Sequence, residues 1–356
     1  MSWVIWSVNT ETGARVGILP INEATWARVQ NASGSGQASF IVGDRDSAGM
    51  PGRFMTEPVS RTLVFEWAGI PIYAGIIWTR IYDRDASKVT LTFSDPWSIL
   101  GRRLVAAQSS EGIQKTKLSY GPWSLETQVK RAIQAATAGT MFGLPIALPA
   151  DVAGTHTRTY EGYHIPSWTD VVTDLMNVKY GPDVDFLPRW SSSGSFEWLL
   201  AAGVPTPGLL VFNPGAPQSG VTGLTVTEDA TKVANHVIAT GEGTEADMKV
   251  KSAISGASPY PALVKVVNFS QEKVESVLQA RADAELELWK DPTEQWAFSI
   301  IAGHDHDTSE LRPGVGVRAH VTNDPWLPDV TRNLRLIGFS GSLDPTIQMQ
   351  FQPMEA

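Results

Sequence analysis

Hydrophobic and polar positions alternate at a period of two through most of the first hundred residues. The segments GQASFIV (36–42), RTLVFEW (61–67), IPIYAGIIW (70–78) and SKVTLTF (87–93) are rich in β-branched and aromatic residues. Such runs, bounded by turn residues, read as strands. Leu63, Phe65 and Trp67 fall on one face, which suits a small antiparallel barrel or sandwich. The period then changes to 3.6. Ser124 can cap a helix that carries Leu125, Val129, Ala132, Ile133 and Ala136 on one side and stops near Gly139. Ser167 and Asp170 form a capping box ahead of Trp168, Val171, Val172, Leu175 and Met176, with Gly181-Pro182 as the stop. The Pro/Gly-rich stretch 213–220 is the best internal linker. Strand patterns return at 220–228, 233–241 and 261–269. A helix is expected from about Gln271 to Trp289, with Val274, Leu278, Ala282 and Leu286 at helical spacing, and the last stretch is β again.

The expected fold is therefore mainly β with an α+β insert: two small antiparallel β-barrel-like domains and a mixed α/β middle region. The expected boundaries are 1–105 for the first barrel-like domain and 106–219 for the α/β insert. A β region with the long helix covers 220–290, and 291–356 forms the second barrel-like domain with strands from 220–269. No short sequence repeat is visible.

Composition narrows the function. The 356 residues hold 13 Trp, 31 Gly, 23 Pro and no Cys, so neither a disulfide nor a thiolate metal ligand is available. The net charge of −9 disfavours a protein that grips nucleic acid, because phosphate affinity comes from Lys and Arg. The N-terminus lacks the pattern of a secretion signal, no apolar run is long enough for a membrane helix, and no membrane anchor is expected.

One cluster suggests chemistry. Gly303-His304-Asp305-His306-Asp307 places two imidazoles and two carboxylates in four successive residues of a chain with six histidines. A catalytic zinc site takes three ligands held by separated elements. His304 and His306 stand two residues apart on one connector, and His320 lies on the strand that follows, so a polar loop is the preferred reading and His304, Asp305, His306 and Asp307 remain weak metal candidates. Asp183 and Asp185 read as a hydrated strand end rather than an acid/base pair. The tryptophans are expected in core and interface, although they could also form a carbohydrate platform. No nucleophile elbow, phosphate loop or zinc-protease motif is present. No catalytic residue and no cofactor are expected.

Several short motifs follow one another along the chain: Trp3 to Gly13 running on to Gly17-Ile18-Leu19-Pro20, then Gly34, Gly36, Ala38, Phe40 and Val42, and Asp95-Pro96-Trp97-Ser98-Ile99-Leu100 with Arg102-Arg103. They continue with Val233-Ala234-Asn235-His236-Val237, Gly241 and Gly243, and the long helix followed by Leu311-Arg312-Pro313-Gly314-Val315-Gly316-Val317. In this order they resemble the minor tail proteins of long-tailed actinobacterial phages. Val315 stands where an acidic or polar residue is commoner. The family is the tail-tip or baseplate hub, similar to the hubs of contractile tails and type VI secretion. The resemblance implies a structural protein, not an enzyme, assembled in the host cytoplasm and placed at the tail tip of a siphovirus-like virion. It implies a homotrimer in which each subunit supplies two related barrels to a pseudo-six-fold ring. That ring would meet the distal tail protein ring, the tape measure protein and other tail-tip proteins, with DNA only passing through the lumen. The alternatives are the hexameric distal tail ring protein and a glycan-binding or glycan-cleaving tail protein.

Overall fold

In a computed structural model of the chain the described residues are 2–43, 52–105, 112–139, 143–178, 181–203, 210–256, 259–270 and 272–354. They form two compact units, one of residues 1–224 with 297–356 and the other of residues 225–296.

The first unit opens with β1 (Trp3–Asn9), β2 (Arg15–Ile18), β3 (Glu23–Val29) and β4 (Ser35–Ile41). A short α1 (Gly52–Met55) leads into β5 (Arg61–Trp67), β6 (Ile70–Asp83) and β7 (Lys88–Ser94), and α2 (Trp97–Leu100) ends the run. All four strand segments read from the alternation are strands. The turn between β5 and β6 is made by Ala68 and Gly69, both at positive φ, as a two-residue hairpin with the natural twist requires. Gly13, at φ +71, touches the Phe196 backbone so closely that a Cβ there would collide with its carbonyl, which explains a glycine in this turn.

The middle region holds β8 (Lys117–Trp123), α3 (Leu125–Ala136), β9 (Ile146–Ala147), β10 (His156–Glu161), α4 (Trp168–Met176), β11 (Asp183–Trp190), β12 (Phe196–Gly203) and β13 (Leu210–Phe212). Both helices start at the expected caps. The Ser124 hydroxyl accepts from the Thr127 amide, and Ser167 and Asp170 close a reciprocal capping box. Val129, Ile133, Trp168, Val172, Phe186 and Trp198 share one core with Val8, Val64 and Trp97 from the first strands. Burying side chains of this size stabilises by roughly 1.5–3 kcal/mol each. The strands β8, β9 and β10 were not read from the sequence, since none is a long alternating run.

The chain continues through β14 (Thr222–Asp229) into β15 (His236–Thr240), β16 (Val250–Ile254), β17 (Val264–Asn268) and α5 (Glu275–Trp289). Gln271, where the helix was expected to begin, lies outside the described residues. In the second unit β15 sits between β16 and β17, and α5 covers the sheet with Leu278 and Ala282 on Ala239 and Ala253. Asn235 holds this layout. Its side-chain amide donates to the carbonyls of Tyr260 and Pro261 and its carbonyl accepts from the Leu263 amide at 2.8 Å, which ties the loop into β17 to the start of β15.

The closing strands are β18 (Thr293–Ile301), β19 (Gly316–Val321), β20 (Val330–Ser342) and β21 (Thr346–Pro353). The protein is thus mainly β, with its longer helices in and after the middle. Among the described residues no sheet closes into a barrel. Instead both barrel-like regions merge into one thirteen-stranded sheet, because β3 pairs antiparallel with β20 from Gly338↔Val29 to Ser342↔Thr25.

That sheet contains the same arrangement twice. Its strand order is β5-β6-β7-β4-β3 in the first motif and β19-β20-β21-β18-β14 in the second. Three details match residue by residue. The β6/β7 ladder carries a bulge between Ile77 and Thr79, and the β20/β21 ladder carries one between Leu336 and Gly338. Val59 follows Pro58 at φ +65 and donates to the Ile77 carbonyl at 2.7 Å, and Gly314 follows Pro313 at φ +88 and donates to the Leu336 carbonyl at 2.7 Å. Finally SFIVG (39–43) ends β4 and SIIAG (299–303) ends β18. The outermost strands differ: β1 is antiparallel to β5, whereas β13 is parallel to β19. The residues alone showed no repeat, and two related barrels were implied only by the resemblance to tail hubs, because few side chains are shared.

Candidate functional site

The histidine-rich loop follows Gly303, the counterpart of Gly43, so it is the second motif's version of the connector that leaves β4. Its polar groups are engaged with the chain around them. The Asp305 carboxylate accepts from the Gly220 amide at 3.0 Å, and its other oxygen lies 3.0 Å from His304 Nδ1. His306 Nε2 is 2.9 Å from the Val211 carbonyl oxygen, its Nδ1 is 3.3 Å from Glu310, and its ring packs edge-on against Phe212. Asp307 caps the 3-10 turn Thr308–Glu310 by accepting from the Ser309 amide, and this contact holds its carboxyl below the usual range. His320 turns to Thr331 at 2.8 Å. Among the described residues no group of three or more such side chains is placed to hold a metal ion. Binding Val211 on one side and Gly220 on the other, the loop clasps both ends of the 213–220 linker.

The paired aspartates differ from their reading as a hydrated strand end. Asp185 pairs with Arg28 at 2.5 Å, both largely buried, and Asp183 pairs with Arg335 and accepts from the Asn31 side chain at 2.7 Å. These contacts fasten β11 to β3 and β20 at the place where the two motifs join. Glu66 likewise serves the fold, with one oxygen accepting from the indoles of Trp6 at 3.1 Å and Trp190 at 2.7 Å. Asp95 accepts from the Gly34 and Trp97 amides, and its enclosure by protein pushes its carboxyl up to about 7. Two of these carboxylate sites were noticed in the sequence. Their cationic and indole partners, more than a hundred residues away in three of the four contacts, carry no sequence signal.

The tryptophans do not form an exposed platform. Trp26, Trp67 and Trp97 are buried and Trp3, Trp6 and Trp78 half-buried. The exception is Trp326, 90% exposed at the tip of the β19–β20 connection. This loop is braced from within: Asp324 accepts from the Trp326 and Leu327 amides at 2.8 Å, and Asp329 accepts from the Asn323 amide at 2.8 Å.

The feature with the best claim to function is a groove of about 820 Å³ over the junction of the two motifs. Strands β3, β4 and β7 supply Thr25, Ser35, Gln37, Thr92 and Ser94, and the second motif adds Ser340, Ser342, Thr346 and Gln348. Asp344 is the one ionisable side chain lining it. The rest of its polar lining is hydroxyls and amides. Buried Trp26 and Phe93 stiffen the floor from the opposite face. Gly36 and Gly341 leave room there for aromatic rings, since a Cβ on either would lie 2.5 Å or closer to a Phe93 or Trp26 ring atom.

No protein-family model and no curated protein matches the chain. Solved structures do. A 43 kDa tail protein of prophage MuSo2 from Shewanella oneidensis matches with a TM-score of 0.59 at 10% identity, over 99% of this chain and 98% of that one. A tail protein from Neisseria meningitidis MC58 matches with a TM-score of 0.58 at 12% identity, over 100% of this chain and 97% of that one. The E. coli c3393 protein, a component of the type VI secretion system, matches with a TM-score of 0.50 at 9% identity, over 94% and 74%. The resemblance first carried by short motifs thus extends along the backbone, and the chain has the fold of these phage tail and type VI secretion proteins.

Proposed function

We propose that the protein is a non-enzymatic structural component of a phage tail: a hub that joins the six-fold tube and distal tail ring to a three-fold tip. The observation that carries this is the doubled five-strand motif in one continuous sheet. Three chains built this way present six similar motifs around an axis, which is what a partner with six-fold symmetry needs. The groove across the junction, with Asp344 its one ionisable side chain, is the proposed lumen wall. Ser, Thr and Gln without Lys or Arg release no counterions from a polyanion, so DNA passes without being retained. The proposed neighbours are the distal tail protein ring, the tape measure protein and the lower tip proteins of a siphovirus-like virion. The domain limits stated above, and a structural rather than metal-binding role for His304 to Asp307, belong to the same reading.

Quantitative mass spectrometry of purified virions against the tube protein tests it. Three copies per particle are expected. Six copies would make the chain a distal ring protein, and absence from the particle would overturn the structural reading.

A further inference from the structure

Twelve of the thirteen tryptophans are buried or half-buried, and Trp326 alone stands in solvent. Its 90% exposure is well above the 67% of Leu288, the next of the large apolar side chains among the described residues. A covered aromatic side chain removes about 150–250 Å² from water. The chain itself takes none of that gain at Trp326.

The loop is nevertheless built to hold one shape. Val321 and Val330 close the β19–β20 ladder, and Asn323 leaves it in the left-handed region at φ +57. Inside, Asp329 fastens the Asn323 amide, and Asp324 fastens those of Trp326 and Leu327. Pro325 and Pro328 fix φ on either side of Trp326-Leu327. An indole held out on a stiff support has already given up the chain entropy that docking would otherwise cost. Residues 323–329 hold two carboxylates and no cation. The Leu327 and Trp326 amides keep the Asp324 carboxyl below its usual range. Such charges disfavour an anionic membrane surface. A sugar needs hydrogen-bonding side chains beside the ring it stacks on, and both carboxylates of the loop accept from its own backbone.

We infer that Trp326 anchors a protein–protein contact: it fills an apolar pocket on a different tail protein, with Lys or Arg on the pocket rim facing Asp324 and Asp329. This deepens the hub reading and rests on it for the presence of such a neighbour. The first motif closes the same hairpin with Ala68-Gly69, so the contact is made once per chain. A few aromatic side chains commonly carry most of the energy of an interface, and charges at its rim steer the encounter.

Particles assembled with full-length protein carrying photo-reactive benzoyl-phenylalanine at position 326 are purified, irradiated and digested for mass spectrometry. The expected result is a cross-link to one other tail protein. Cross-links to another copy of this chain, or none in particles that contain it, would overturn the contact and leave the hub reading standing. Absence of the protein from the particles would overturn both. Affinity for the cross-linked protein is then measured with full-length variants. Trp326→Ala changes an exposed side chain, so it should leave the melting temperature unchanged and weaken binding at least about 30-fold, the loss typical of an interface anchor. Trp326→Phe should recover part of that loss. Asp324→Asn combined with Asp329→Asn keeps an acceptor for each loop amide and removes the charge. The double variant should weaken binding about tenfold at low salt and little at high salt. A loss below about threefold for Trp326→Ala would overturn the anchor, and an unchanged salt dependence in the double variant would overturn the basic rim.

Discussion

The two five-strand motifs share an order of strands and a ladder geometry, yet they differ wherever the chain leaves the sheet. The first motif turns from β5 to β6 in two residues, Ala68-Gly69, and from β3 to β4 in a short loop. The second inserts β15, β16, β17 and α5 between β14 and β18, and extends the β19–β20 connection into the Trp326 loop. The backbone bulge and the Pro-turn that registers it are the parts that stayed the same. They fix which residue faces which, and a slip of one position would turn every core side chain to solvent. Loops carry no such constraint.

The comparison can be broken most forcefully at the junction. Arg28→Ala removes the cation from a largely buried pair and leaves Asp185 uncompensated between the motifs. It should lower the unfolding free energy by about 3–5 kcal/mol, read by urea denaturation. A loss near zero would mean that the pair does not hold the motifs together.

Equivalent core positions sharpen it. Leu91 on β7 and Met349 on β21 sit at the same place in the two ladders, opposite Arg80 and Phe339, and both are buried. Leu91→Ala and Met349→Ala should each cost about 2–5 kcal/mol by the same assay. Values differing by the full width of that range would show that the two cores are not packed alike.

The smallest effect is expected at the Pro-turns. Val59 holds a left-handed conformation that a β-branched residue tolerates poorly, where its counterpart is Gly314. Val59→Gly should raise stability by about 1 kcal/mol, and Gly314→Val should lower it by at least as much, in thermal melts. A destabilised Val59→Gly would sink the equivalence of the two turns.

Much of the layout was legible because it is local. Alternation in RTLVFEW and SKVTLTF, and the caps at Ser124 and Ser167, act within a few residues and left their marks in order. The duplication is not local. Arg80 and Phe339, Ile81 and Ser340, Tyr82 and Gly341 occupy equivalent places with unlike side chains, so only hydrogen-bond register relates them. Similarly, β16 was missed because VKSAI carries one short alternation with a lysine in it. The aspartates at 183 and 185 looked solvated because their cationic partners, Arg28 and Arg335, are remote in sequence. The histidine loop was rightly read as a connector, but its echo of the segment after β4 became visible only when the strands were paired.

Trp326 has no counterpart in the first motif, where the same hairpin is closed by Ala68-Gly69. In the proposed hub of three chains, the sheet motif would repeat six times around the axis and the Trp326 loop three times. A neighbour that reads the wall would meet one symmetry, and a neighbour that reads the loops half of it. On that reading the change of count would be a matter of decoration: a single lengthened hairpin, stiffened by Asp324 and Asp329, would mark every second position on an otherwise even dial.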